Sequence, residues 1–274
     1  MKTNQISLQT EMKISASVME ALNSQSHKFW TVHSIFDNGF NLQSMSQIIY
    51  ISSYKQSLSA HGLLISTDSF ESIKKYLRIG NRVQYQEDFF RFFTHPFTFD
   101  LKWDDKHIID LSIKHISMSE DDLIFLIDHL AEVDYKKQCD PALVQKITLN
   151  FPNSQAFCVQ SVQDMIGMGQ GLTPSGDDFI QGMLVGAMLT KNISFIKAVK
   201  NLINQDSTTD IAKAYYDSLF QRQINEPWHQ LFRAVAKRNQ KKLQEAVNNI
   251  QSYGASSGYD MLYGVYYYLN QTFY

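Results

Sequence analysis

Four of the chain's twelve glycines fall within one stretch of twelve residues, Gly167-Met168-Gly169-Gln170-Gly171-Leu172-Thr173-Pro174-Ser175-Gly176-Asp177-Asp178. Glycine adopts positive φ without penalty and lets a ligand approach the backbone N–H groups closely. A loop of this kind feeding a helix gathers oriented amides and the positive end of the helix into an anion site. The stretch lacks a Gly-Lys-Ser/Thr ending and no clear strand precedes it, so it is neither a nucleotide P-loop nor a dinucleotide fingerprint. The amides around Gly167, Gly169 and Gly171 are candidates to hold a carboxylate or phosphate. Asp177 and Asp178 cannot face the same anion unpaired, because like charges repel. They suit an amide NH2, a proton in transit or a divalent cation. Thr173, Ser175 and Gly176 complete the set. A small molecule with a carboxylate end and an amide end fits this mixture.

A second segment echoes the first. Ser175-Gly176-Asp177-Asp178-Phe179-Ile180-Gln181-Gly182 and Ser257-Gly258-Tyr259-Asp260-Met261-Leu262-Tyr263-Gly264 both read Ser-Gly-x-Asp-x-x-x-Gly. The Asp and the last Gly are four apart and share a helical face, where glycine lets another backbone come close. The two helices are therefore expected to pack near their N-termini and to bring Asp178 and Asp260 together, with Ser257 and Gly258 beside them. The plain alternative is that Ser-x-x-Asp is a capping box in each helix and nothing more. Asp206-Ser207-Thr208-Thr209 reads either as an N-cap or as a source of hydroxyls for the site, from Thr208 and Thr209.

The stretch from Gly167 to Asp178 resembles a bacterial family that includes a subunit of oxamate carbamoyltransferase, the AllH-like family. Gly254-Ala255-Ser256-Ser257-Gly258-Tyr259-Asp260 is similar to that family's second motif, and Thr208-Thr209 and the strand-rich N-terminal half extend the likeness. The resemblance implies work in anaerobic breakdown of allantoin and related nitrogen compounds. The implied reaction is carbamoyl transfer between oxalurate and phosphate, giving oxamate and carbamoyl phosphate, with other subunits required. In that reading the glycine-rich amides bind the anionic end of the substrate, and Asp177, Asp178 and Asp260 orient the amide or relay protons. Two rivals stand beside it. In one, the three aspartates hold a divalent metal that activates water for hydrolysis. In the other, the chain is a ligand-binding or scaffold subunit whose partner carries the chemistry. No cofactor is otherwise expected.

The elements that must position these residues divide the chain in two. Short runs rich in β-branched and aromatic residues, among them Phe29 to Val32, Gln47 to Ile51, Gly62 to Ser66, Arg82 to Tyr85, Phe89 to Phe93, Phe97 to Leu101 and Ile108 to Ile113, predict antiparallel strands. Asp104-Asp105 reads as a hairpin turn between the last two. Ser7 to Leu22 carries apolar residues at helical spacing, and a short helix is expected near Ser69 to Leu77. From Ser119-Glu120-Asp121-Asp122, a capping box, the pattern turns helical, with Asp140-Pro141 opening a further helix. Helices are expected at about Ser161 to Met165, Ser175 to Thr190, Ser194 to Leu202, Asp210 to Gln221, Pro227 to Arg238, Lys241 to Ile250 and Ser257 to Leu269. The predicted fold is α+β, a strand-rich antiparallel part over residues 1–117 packed on a mostly helical part over 118–274.

Composition narrows the rest. At 274 residues and 44% hydrophobic the chain can bury a sizeable core, and a net charge of -2 gives no basic footprint for nucleic acid. Two cysteines, Cys139 and Cys158, make neither a disulfide framework nor a zinc site. No apolar run is long enough to span a membrane and Met1 to Gln25 lacks a signal-peptide core, so a cytoplasmic protein working in an oligomer is expected. The eight histidines are scattered, and Tyr266-Tyr267-Tyr268 reads as core and subunit contact.

Overall fold

The computed structural model describes residues 4–24, 29–87, 89–150, 162–203 and 208–274. The chain divides into two compact units, Met1–Leu111 and Ser112–Tyr274. The sequence places the change of character near Ile116 to Ser119.

In the first unit eight strands close into a barrel: β1 Asn4–Ser15, β2 Phe29–Ile35, β3 Gly39–Ser44, β4 Gln47–Ser53, β5 Gly62–Ile65, β6 Arg82–Gln86, β7 Phe89–Phe93 and β8 Phe97–Ile109. Their order is β1-β5-β4-β3-β2-β6-β7-β8. Most neighbours are antiparallel, as expected, but β4 pairs with β5 in parallel, and so does β1 with β8, from Asn4 opposite Phe97 to Ser15 opposite Ile109. Closure leaves no free sheet edge. The interior is filled by alternating apolar side chains, including Trp30, Phe40, Leu42, Ile51, Phe90, Phe92 and Phe99, all buried. Phe70, on a helix over Thr67–Lys74 capped by the Ser66 hydroxyl, stacks on Phe40.

Two local expectations are corrected here. Ser7 to Leu22 is not one helix: the chain is a strand to Ser15 and a helix only over Ala16–Ser24. The helical spacing of Met12, Ile14, Val18 and Leu22 spans the junction. β1 is held on both edges by β5 and β8, so ladder pairing overrides the local pattern. Asp104-Asp105 is not a hairpin turn but lies inside the long strand β8. The register against β1 shifts there, between Thr10 and Glu11, so one residue bulges and the strand continues.

The second unit is helical. The Glu120–Leu130 helix begins with the expected capping box, Ser119 and Asp122 each satisfying the other's backbone N–H. Asp140 accepts from the N–H groups of Ala142 and Leu143 at 2.8 and 3.3 Å and starts the Pro141–Asn150 helix. The helix expected near Ser161 begins outside the described residues, as does Cys158. Beyond it lie helices over Ser175–Leu189, Ile193–Leu202, Asp210–Phe220, Glu226–Ala236, Gln240–Gln251 and Ser257–Phe273. The Ser175–Leu189 helix is the centre of the unit: of its residues only Met188 is not buried. A helix buried all round is normally apolar all round, so Asp177, Asp178 and Gln181 within it need a reason. Tyr266, Tyr267 and Tyr268 join the aromatic layer around it, with Tyr268 buried and its hydroxyl accepting from Asn192 at 2.8 Å. Among the described residues no helix is long and apolar enough to cross a membrane.

Candidate functional site

The glycine-rich stretch is a surface turn leading into this buried helix. Gly167, Gly169 and Gly171 have φ of 72°, 119° and 88°. A side chain at Gly169 would be strained by that backbone, and its Cβ would sit 2.7 Å from the Ser175 nitrogen. The turn folds back on itself through the Gly176 N–H, which donates to Met168 O at 2.8 Å. Gly176 has no room for a Cβ, which would lie 2.1 Å from Met165 O. Gly169, Gln170 and Gly171 are exposed, and their N–H groups donate to nothing among the described residues.

The two echoing segments meet as a pair related by local two-fold symmetry. A Cβ on Gly182 would lie 2.0 Å from Met261 O, and one on Gly264 would lie 2.0 Å from Phe179 O, the equivalent atom of the other helix. The serines cross over in the same way. Ser175 hydrogen-bonds to Asp260, and Ser257 hydrogen-bonds to Asp178. Neither serine caps its own helix: the N-cap positions are Pro174 and Ser256, without side-chain cap bonds. The motif is therefore not a pair of capping boxes. Thr173 ties the turn to the second helix, its hydroxyl 3.2 Å from that of Ser257. Gly258 packs against the preceding helix, where a Cβ would meet Ile250 O at 1.9 Å.

Asp177 is a knot between segments. One carboxylate oxygen accepts from the Gly167 N–H at 3.2 Å and from the Thr208 hydroxyl, and the other accepts from the Tyr216 hydroxyl at 3.0 Å. Burial pushes its carboxyl above the usual range, and these three donors work against that shift. The Gly167 N–H is thus taken, and so is the Thr208 hydroxyl. Thr209 caps the Asp210–Phe220 helix through Ala212 N at 3.1 Å and donates to Leu172 O, holding the turn from its other side. Asp206 and Ser207 lie outside the described residues.

Asp260 and Asp178 occupy equivalent positions with unequal partners. Asp260 accepts from Asp140 N at 3.2 Å and Ser256 Oγ at 2.8 Å, and also from Cys139 and Ser175. Burial still raises its carboxyl, against those four donors. Asp178 is 3% exposed, and its Oδ2 has no partner among the described residues. Burial pushes its carboxyl well up; Ser257 opposes the shift, and the neighbouring Asp260 and Asp177 charges add to it. Asp178 is thus held toward its neutral form, in which a carboxyl can donate as well as accept.

All the candidate residues within the described part converge on this turn and helix crossing. Sequence reasoning missed Tyr216, Cys139, the Asp140 backbone and Ser256, which reach the aspartates from other segments. It also missed Gln181, fully buried with both amide atoms unpartnered among the described residues. Gln181 was visible as a polar residue inside the apolar run Phe179 to Val185, and the spacing to Asp177 was a usable signal. Among the described residues no group of three or more His, Cys, Asp or Glu side chains is arranged to hold a metal ion. The buried His61 of the barrel, its ring pushed down to about 4 by burial, lies 3.3 Å from the Ser59 hydroxyl.

Comparison with known proteins agrees with the family resemblance. Residues 165–269 match the family model described as oxamate carbamoyltransferase subunit AllH, and residues 8–106 match the AllH family N-terminal domain. No solved structure matches the chain. The two matched regions take in most of the barrel and the candidate residues from the turn to Asp260, and the chain belongs to the AllH family of oxamate carbamoyltransferase subunits.

Proposed function

We propose that this chain contributes the ligand site of a carbamoyltransferase that moves a carbamoyl group between oxalurate and phosphate. In the forward direction a phosphate oxygen attacks the terminal carbamoyl carbon. The bond from that carbon to the oxamate nitrogen breaks, the nitrogen takes up a proton, and carbamoyl phosphate and oxamate result. The observation that carries this reading is the pairing of an exposed turn with free amides and a buried carboxyl, Asp178, with an unpartnered oxygen. The amides of Gly169 to Gly171 suit the anionic end of the substrate. Asp178, biased toward its neutral form, suits the donation of a proton to the departing nitrogen. In this reading Asp177 positions the turn and Asp260 fixes the helix pair, and both act through others.

The test is phosphate-dependent consumption of oxalurate, assayed with this chain alone and with its partner subunits co-expressed. Consumption by the assembled complex, lost when Asp178→Asn replaces the wild-type chain, is the expected result. Failure of both preparations to react would overturn the reading. Turnover that persists in a complex containing Asp178→Asn would make this chain a ligand-binding or scaffold subunit instead.

A further inference from the structure

Gln181 is the most deeply placed polar side chain of the central helix that no described residue satisfies. It is 0% exposed, and among the described residues neither its Nε2 nor its Oε1 has a hydrogen-bond partner. With about 3.6 residues per turn, it falls in the angular sector between Asp177 and Asp178, one turn further in. Asp177 turns toward Tyr216 and Asp178 toward Ser257, so that sector lies between those two helices. Asp178 Oδ2 is unpartnered in the same neighbourhood. Three orphaned buried polar atoms on one helix face are costly, at about 1–3 kcal/mol each. Leucine or methionine would serve packing better, so a packing role does not account for the residue. An occupant that pairs with it does.

We propose that Gln181 is a specificity-determining residue that reads the primary amide of the ligand. A carboxamide side chain and a primary amide are mutually complementary, each offering one N–H and one carbonyl oxygen to the other. The neutral Asp178 carboxyl, three residues earlier on the same helix, keeps an acceptor for the ligand's second N–H. A carboxylate end has no N–H to offer Oε1, so the deep end of the site takes the uncharged amide and the exposed glycine turn takes the anion. This rests on the carbamoyl-transfer reading and adds the direction in which the substrate lies.

The experiment compares the wild-type full chain with Gln181→Met and Gln181→Glu, using oxalurate and its terminal N,N-dimethyl derivative as probes in calorimetric titration. Gln181→Met is expected to weaken oxalurate binding about 10- to 100-fold, while the dimethyl derivative binds wild type and variant alike. Its thermal midpoint without ligand is expected to rise by a few degrees, since an unsatisfied buried amide has been removed. Gln181→Glu keeps the shape but loses the NH2, and is expected to weaken oxalurate binding too. Oxalurate affinity within twofold of wild type in both folded variants would overturn the proposal and leave the transfer reading standing. If the wild-type complex turns over no oxalurate, oxamate and acetamide serve as bare primary-amide probes by ligand-observed NMR. Binding that depends on Gln181 would then keep the proposal while the transfer reading falls. No binding of any primary amide to the wild-type chain would end both.

Discussion

Gly182 and Gly264 face each other across the crossing of two helices, each so close that a Cβ on one would lie 3.0 Å from the Cα of the other. Backbone touches backbone there because neither residue has a side chain. That contact sets the spacing at which Ser175 reaches Asp260 and Ser257 reaches Asp178 one turn earlier. The helix crossing and the polar exchange are one arrangement.

Substitution at either glycine should therefore act at a distance. Alanine favours a helix interior over glycine by about 1 kcal/mol, but here its Cβ would meet a carbonyl oxygen at 2.0 Å. Backbone on both sides cannot yield cheaply. Gly182→Ala and Gly264→Ala are each expected to destabilise the protein by about 1–3 kcal/mol or more despite the propensity gain. Thermal denaturation followed by circular dichroism measures this, and an unchanged midpoint would show that the crossing tolerates a wider spacing.

Asp178→Asn preserves shape and removes the ionisable group. Turnover in the reconstituted complex is expected to fall by about 10²–10³, the usual cost of losing one preorganised group at a reacting centre. The far-ultraviolet spectrum should be unchanged.

The same variant isolates a pH effect. Burial, with the nearby Asp260 and Asp177 charges, raises the Asp178 carboxyl in the folded state, and the Ser257 hydroxyl does not fully offset this. A folded-state value above the unfolded one means that the native form binds the proton more tightly. The stabilisation this provides is fully present below the unfolded value of about 4 and is lost as pH rises through the folded value. Asparagine carries no such dependence. The melting temperature of Asp178→Asn minus that of wild type should thus grow as pH is raised from about 4, and a flat difference between pH 4 and 8 would contradict it.

Tyr216→Phe tests whether Asp177 is a tether. It removes one of three donors to that carboxylate and leaves the ring in place. A loss of about 1 kcal/mol in chemical denaturation is expected. If Asp177 acts by holding the turn, the variant should raise KM for the anionic substrate more than it lowers kcat.

The two exposed turn glycines should differ from each other. Gly171→Ala meets nothing within 4 Å and bears only the strain of φ 88°, about 1–2 kcal/mol. Gly169→Ala combines φ 119° with a Cβ 2.7 Å from Ser175 N, at the start of the central helix. Ligand affinity is expected to fall clearly further for Gly169→Ala, measured by titration with oxalurate.

The candidate site was legible in the local sequence. Clustered glycines, paired acids and the repeated Ser-Gly-x-Asp-x-x-x-Gly are local facts, and the α+β division follows from the shift between short and helical hydrophobic periods. Local pattern failed where a neighbour outvoted it. β1 reads as helix until β5 and β8 pair with it, and Asp104-Asp105 reads as a turn until β1 carries the strand past it.

Which partners each acid meets was legible only in the folded chain. Asp178 and Asp260 are interchangeable in the repeat, yet Asp260 collects donors from Cys139, Asp140, Ser175 and Ser256 while Asp178 keeps a buried oxygen without one among the described residues. Whether a serine caps its own helix or crosses to another depends on which acceptor is nearer in space. Spacing along the chain cannot carry that information, because the competing acceptor lies some eighty residues away in sequence, as Thr173 does from Ser257.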